Sequence, residues 1–244
     1  MTAPRERVAL VTGAGRRVGR ALAIALGTRG MHVLVHYNAS AVDAEETARL
    51  VTRAGGTAEL LRADLSGIGD AERLVDQAVS ARGTLDVLVN SAAMMLRTPV
   101  GETTAADWDA MFALNVRAPY FLSQRAAPAL RAARGSIINI ADLAAFETWP
   151  AYVPHGVTKA AVVQMTRALA RVLAPEVRVN AIAPGVVLLP EGWADADAEH
   201  LRGTTPLRRL GSPEDVAGAM LYLLDAGYVT GEVITVDGGR HIRS

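Results

Sequence analysis

The sequence predicts an α/β domain built on a doubly wound parallel sheet of about seven strands, with helices on both faces. Three observations carry that prediction. Short apolar runs alternate with helix-forming stretches along the whole chain, an order that makes the strands parallel and covers both faces of their sheet. The first apolar run passes straight into a glycine-rich turn, Thr12-Gly13-Ala14-Gly15-Arg16-Arg17-Val18-Gly19. Small and polar residues then gather at the carboxyl ends of the strands, where such sheets bind ligands.

The elements follow in order. Val8–Val11 is a short buried strand, and a helix follows near residues 19–28. His32–His36 is strand-like, and Ala41–Arg53 is an amphipathic helix of mixed charge. Ala58–Ala63 is a third strand, followed by a helix near Ile68–Ala81. Leu85–Val89 is a fourth, strongly apolar strand. Two helices are expected over Ala105–Ala113 and Val116–Arg131, the second despite Pro119 and Pro128. Ser136–Ile140 is the fifth strand, and Pro154–Leu173 a long helix apolar on more than one face. Val177–Ala183 is the sixth strand, ended by Pro184-Gly185. Residues 186–206 read as irregular, with a short helix at Asp195–Leu201. Ser-Pro-Glu-Asp opens a helix over Pro213–Leu224 as an N-cap and first-turn signature. Val233–Val236 is the last strand. No repeat or linker interrupts the pattern, so residues 1–244 read as a single domain.

Composition narrows the function classes. Half of the 244 residues are hydrophobic and the formal net charge is zero; with no basic run, non-specific nucleic-acid binding is not expected. The absence of cysteine excludes disulfides, thiol catalysis and cysteine zinc sites. The five histidines are scattered without metal-ligand spacing, so no metal is expected. The amino-terminal residues carry no secretory apolar region, and the chain reads as cytoplasmic, with no membrane partner.

The strand, glycine turn and helix start over Val8–Gly19 have the form of a pyrophosphate site in a Rossmann-type fold: glycines admit the backbone close to the anion, and free N–H groups of the first helical turn point at it. The alternative is an ordinary βα turn. After the second strand the chain reads His36-Tyr37-Asn38-Ala39-Ser40, and its first acid is Asp43. A ribose-holding acid would repel a 2′-phosphate; its absence, the charge of Arg17 and Arg16, and the hydrogen-bonding groups of Ser40 and Asn38 predict NADP(H). The alternative is that both arginines are solvated surface residues.

Taken with Asp64-Leu65, Asn90-Ser91-Ala92, Asn115 in Leu-Asn-Val, Pro184-Gly185 and the terminal Val236-Asp237-Gly238-Gly239, the chain resembles the short-chain dehydrogenase/reductases over nearly its whole length. Within them it looks most like pteridine reductases: Arg17 stands where most members have glycine, His36-Tyr37 and Ser40 agree, and Asp142 stands where most have serine. The resemblance implies cofactor contacts from Gly13, Arg16, Arg17, Val18, Gly19, His36, Tyr37, Asn38, Ser40, Asp64, Leu65, Asn90, Ser91, Ala92, Lys159, Pro184, Gly185 and Val187.

The family works through a Tyr-x-x-x-Lys pair on one helix face, with the asparagine supporting a water chain to the lysine. Here the segment reads His155-Gly156-Val157-Thr158-Lys159, so Lys159 is in place and His155 occupies the tyrosine position. Three readings stay open. His155 is the general acid, with Asp142 orienting and balancing the ring; or Asp142 delivers the proton through water; or the chain binds the nucleotide without turnover. A packed helix histidine is the bland alternative. The site expected is Asn115, Asp142, His155 and Lys159, acting on a C=N or C=O bond of a small, pterin-like substrate, with a conventional carbonyl or 3-oxoacyl reductase as the runner-up.

Met94, Met95, Tyr152, Leu188 and Trp193 are expected to line the substrate pocket, Trp193 within a covering segment over residues 187–193; core packing is the alternative for the methionines. The helices near residues 116–131 and 154–173, apolar on more than one side, predict a second buried face, and the resemblance implies a dimer or tetramer built on them, most often a homotetramer.

Overall fold

The computed structural model describes residues 5–189 and 195–242. All seven strands are parallel: β1 (Val8–Val11), β2 (His32–Tyr37), β3 (Thr57–Arg62), β4 (Val87–Asn90), β5 (Ser136–Ile140), β6 (Arg178–Pro184) and β7 (Val233–Val236), in the order β3-β2-β1-β4-β5-β6-β7. The chain leaves β1 for β2 on one side and returns from β3 to place β4 on the other, so the switch of direction falls between β1 and β4. Their carboxyl ends diverge there and leave a crevice. β1 and β4 are buried at every residue, because helices cover both faces; the one polar side chain in these two strands, Asn90, is hydrogen-bonded.

The helices are α1 (Arg17–Gly27), α2 (Ala41–Arg53), α3 (Ile68–Arg82), α4 (Ala105–Phe112), α5 (Ala118–Ala133), α6 (Val153–Leu173), α7 (Asp195–Thr204) and α8 (Pro213–Asp225). One core layer packs Leu22, Leu26, Val216 and Met220 of α1 and α8 against Val11, Val33 and Val89. The opposite layer packs Leu74, Leu122 and Leu130 of α3 and α5 against Leu10, Leu88 and Ile137. Each such buried leucine is worth roughly 1.5–3 kcal/mol against exposure, so these two layers fix the sheet that carries the crevice.

Two helices expected as separate are one continuous run. α4 passes through a π turn at Ala113–Arg117 directly into α5, and the Ala118 N–H reaches back to the Ala113 carbonyl. The extra residue per turn accommodates Pro119, which has no N–H to give, and it places Asn115 on the inner side, buried. The helix predicted near residues 19–28 starts two residues earlier, at Arg17. The Ser-Pro-Glu-Asp signature forms a capping box: Asp215 accepts from the Ser212 N–H at 2.8 Å and donates its own N–H to Ser212 Oγ at 3.4 Å.

The long helices are less uniformly apolar than their sequence suggested. The outer side of α5 and α6 exposes Tyr120, Val157 and Val172 beside Arg125, Arg167 and Arg171. Among the described residues, no helix is long and apolar enough to cross a membrane.

Candidate active site

A cleft of about 1100 Å³ opens along the carboxyl ends of the strands. All the cofactor-side residues named from the sequence line it except Asn90. Asn90 is buried and donates to Asn139 Oδ1 at 2.8 Å and Ser123 Oγ at 3.3 Å; its side chain ties β4 to β5 below the cleft floor. Met94, Met95, Tyr152 and Leu188 line the other end, and so do Asp142, His155 and Lys159. Trp193, with Pro190 and Gly192, lies outside the described residues.

The glycine turn is shaped for close approach. Gly13 has φ +64°, and a Cβ there would stand 2.8 Å from the Ala92 Cα; a Cβ on Gly19 would be driven into the Gly13 carbonyl. Thr12 fastens the turn to the neighbouring strand: its Oγ1 donates to the Val89 carbonyl at 3.2 Å and accepts the N–H groups of Ser91 at 2.9 Å and Ala92 at 3.1 Å. α1 starts without a side-chain cap and with no acid in its first turn, so the positive end of its dipole faces the cleft unopposed. The residues present fit a dinucleotide phosphate.

His36 shapes the turn from beneath. Its Nδ1 accepts the Gly13 N–H at 3.1 Å, its Nε2 donates to the Ala63 carbonyl at 3.2 Å, and its own carbonyl accepts the Ala14 N–H at 2.9 Å. Burial holds the imidazole down at about 4, against the smaller opposing pull of the Ala63 carbonyl. The ring is a neutral brace with both nitrogens occupied, on a residue that lines the cleft as the sequence suggested.

The two arginines differ. Arg17, at φ +54°, sends its Nη2 across the cleft mouth to the Leu188 carbonyl at 3.3 Å. Arg16 is exposed on the cleft rim, and its side chain makes no hydrogen bond or ion pair among the described residues. Asp43, the first acid after β2, is held by Arg20 at 3.2 Å; Arg20 also donates to the Gly15 carbonyl and to Thr47 Oγ1. Sequence reasoning missed Arg20, which reads as any charged residue opening a helix. Asp64 accepts the Ser66 N–H at 3.0 Å, and that bond lowers its carboxyl below the usual range.

At the other end, α6 presents His155 and Lys159 on one face, one turn apart. Lys159 Nζ donates to the Ile140 carbonyl at 2.9 Å; burial pushes its amine below the usual lysine range, with the Asp142 charge opposing. The His155 side chain is 3 % exposed, and its Nε2 lies 3.6 Å from Asp142 Oδ2, a carboxylate 25 % exposed. Asp142 Oδ1 meanwhile accepts the Ala144 N–H at 2.8 Å and caps the short 3-10 turn after β5. Asn115 lies behind the wall, not in the cleft: it accepts the Met94 N–H and donates to the Met94 carbonyl, both at 2.8 Å. Thr158, which sequence reasoning also missed, completes this corner.

The comparisons agree with that architecture. Residues 13–241 match the family model described as enoyl-(acyl carrier protein) reductase, one of the short-chain dehydrogenase/reductases. The chain belongs to the short-chain dehydrogenase/reductase family. It is 40% identical, over 98% of each chain, to a Streptomyces violaceoruber protein assigned as ketoacyl reductase 2 of the granaticin polyketide synthase. It is 34% identical, again over 98% of each, to a 3-oxoacyl-[acyl-carrier-protein] reductase of Synechocystis. A solved structure from Sinorhizobium meliloti, described as a short-chain alcohol dehydrogenase, superposes with a TM-score of 0.92 at 32% identity over 98% of this chain and 97% of that one. This short-chain dehydrogenase/reductase is therefore an oxidoreductase of a family that uses a nicotinamide cofactor.

Proposed function

We propose that this family member is an NADPH-dependent reductase of a small carbonyl substrate, with His155 as its proton donor. The carrying observation is the pair of His155 Nε2 and Asp142 Oδ2, 3.6 Å apart on the cleft wall beside Lys159. NADPH, when bound, supplies a hydride to the substrate carbon. Gly13, Gly19 and the start of α1 would hold its pyrophosphate, and Arg16, with Asn38 and Ser40, would receive the 2′-phosphate. Arg16 takes precedence over Arg17 because Arg17 is turned to Leu188.

The chain's own part is a proton. As an imidazolium, His155 carries Nε2–H toward the cleft and gives it to the oxygen that gains charge as the carbonyl is reduced, so C=O becomes CH–OH. Asp142 balances the imidazolium and, being partly exposed, lets solvent return the proton. Lys159 adds positive charge at the same wall. The relatives named for ketoacyl and 3-oxoacyl reduction favour a carbonyl over a heterocycle. A second reading, reduction of a C=N bond in a pterin-like ring, rests on Asp142, whose carboxylate on the cleft wall can accept ring N–H groups. The exposed Tyr120, Val157 and Val172 support a homotetramer assembled on α5 and α6.

The test is NADPH oxidation against ketones, 3-oxoacyl thioesters, quinones and dihydropterins, for wild type and His155→Ala. Turnover of carbonyls that His155→Ala abolishes, with NADPH binding intact, supports the proposal; turnover confined to dihydropterins moves the substrate to the second reading. Turnover that survives the substitution transfers the proton to Asp142 or water. Tight NADPH binding without any turnover would make this a nucleotide-binding protein.

A further inference from the structure

Behind the cleft wall, four residues close a ring of hydrogen bonds. Asn115 Nδ2 donates to the Met94 carbonyl at 2.8 Å, and the same carbonyl lies 3.3 Å from His155 Nδ1. The His155 carbonyl accepts Thr158 Oγ1–H at 2.7 Å, and Thr158 Oγ1 in turn accepts from Asn115 Nδ2 at 3.1 Å. Asn115 Oδ1 holds the Met94 N–H at 2.8 Å, so the Met94 peptide is gripped by both its polar groups. A carbonyl can only accept. The contact with His155 Nδ1 therefore requires a proton on Nδ1, and in the neutral ring that leaves the lone pair on Nε2.

The other nitrogen is the one aimed at chemistry. His155 Nε2 is buried, has no hydrogen-bond partner among the described residues, and faces Asp142 Oδ2 at 3.6 Å. Left to itself, a neutral imidazole beside a carboxylate would put its proton on Nε2 and donate it to that carboxylate. The Met94 carbonyl biases the ring the other way, and Asn115 is what keeps that carbonyl in place.

We infer that Asn115 is a positioning residue for His155: by fixing the Met94 carbonyl it locks the Nδ1–H tautomer and leaves Nε2 free to take up and release the transferred proton. This rests on the proposed role of His155, although the lock itself is a property of the resting protein. The ring belongs to this chain because a histidine stands at residue 155; the side chain that carries the signal, Asn115, does not line the cleft and reaches the imidazole through the Met94 carbonyl.

The test reads the tautomer. Long-range 1H–15N spectra of protein labelled at histidine distinguish protonated from unprotonated ring nitrogens, with His155→Gln assigning the signals. The wild type is expected as the Nδ1–H form. Asn115→Asp keeps an acceptor for the Met94 N–H but loses the donor to its carbonyl; it is expected to move His155 toward the Nε2–H form and to lower kcat by about tenfold or more with little change in NADPH affinity. Thr158→Val leaves the Met94 clamp intact and is expected to keep the tautomer. A wild-type ring in the Nε2–H form overturns the inference, even should Asn115→Asp fail to fold, and so does an unchanged tautomer in a folded Asn115→Asp. A shift in Thr158→Val as large as in Asn115→Asp also overturns it, since the carbonyl would not be the lock. A locked tautomer with turnover that survives His155→Ala would keep this inference and remove His155 from the chemistry; a loose tautomer with turnover lost in His155→Ala would do the reverse.

Discussion

His155 Nε2 stands 3.6 Å from Asp142 Oδ2, and no atom among the described residues hydrogen-bonds it. A buried imidazole nitrogen without a partner is costly unless the site uses it. The carboxylate beside it is close enough to balance a charged ring, and the pair is not hydrogen-bonded at this distance. Asp142→Asn keeps the Oδ1 acceptor that caps the following turn through Ala144 and removes only the charge. Steady-state NADPH oxidation is expected to lose about 10- to 100-fold in kcat, with KM for NADPH unchanged. An Asp142→Asn enzyme at wild-type rate would take the carboxylate out of the proton path.

Arg16 and Arg17 are neighbours with opposite fates. Arg17 sits in the left-handed region and bonds Leu188, while Arg16 makes no side-chain bond among the described residues and lines the same cleft as Asn38 and Ser40. A charge-assisted bond from arginine to a phosphate is worth roughly 1.5–3 kcal/mol. Arg16→Ala is therefore expected to weaken NADPH binding about tenfold or more while leaving NADH binding unchanged, measured by fluorescence titration of both cofactors. Equal losses for both would show that Arg16 serves the pyrophosphate or the fold and not the 2′-phosphate.

Gly19 tests the turn itself. A Cβ there collides with the Gly13 carbonyl, a backbone atom fixed by φ +64° and by the His36 brace. Relief requires the turn to move. Gly19→Ala is expected to abolish NADPH binding and to cost about 2–4 kcal/mol of stability in chemical unfolding. Near-native stability with intact binding would mean that the turn is more pliant than this packing allows.

The sequence was most legible where one local cause decides. β1, α2, β5 and β7 run over the residues read from pattern alone, since apolar runs and, for α2, an amphipathic pattern define them. The α4–α5 junction escaped because one extra residue in a helical turn leaves no mark on apolar periodicity. The cleft was legible as a set of strand ends, yet the division of labour within it was not. Which arginine turns to Leu188 goes with a backbone angle at Arg17, and the side chains of Asn90 and Asn115 bond partners 49 and 21 residues away in sequence. The surroundings of His36 were hidden for the same reason: only the pairing of β2 with β3 brings the Ala63 carbonyl under its ring.

That buried ring gives the fold a defined response to acid. His36 is held at about 4 by burial, against 6.5 for the free side chain. The unfolded chain therefore binds this proton at higher pH than the folded one, so stability rises with pH across that interval. The contribution is fully present above about 6.5 and is lost as the pH falls toward 4, by about 3 kcal/mol over the whole window. Protonation would also convert Nδ1 from acceptor to donor and break its bond to the Gly13 N–H, so acid should loosen the phosphate turn in particular. His36→Gln removes the titration. Urea unfolding at a series of pH values is expected to show the wild type losing its advantage over His36→Gln between neutral pH and about 4. A constant difference between the two across that range would mean that His36 titrates alike in the folded and unfolded chains, and the neutral-brace description of this residue would have to be abandoned.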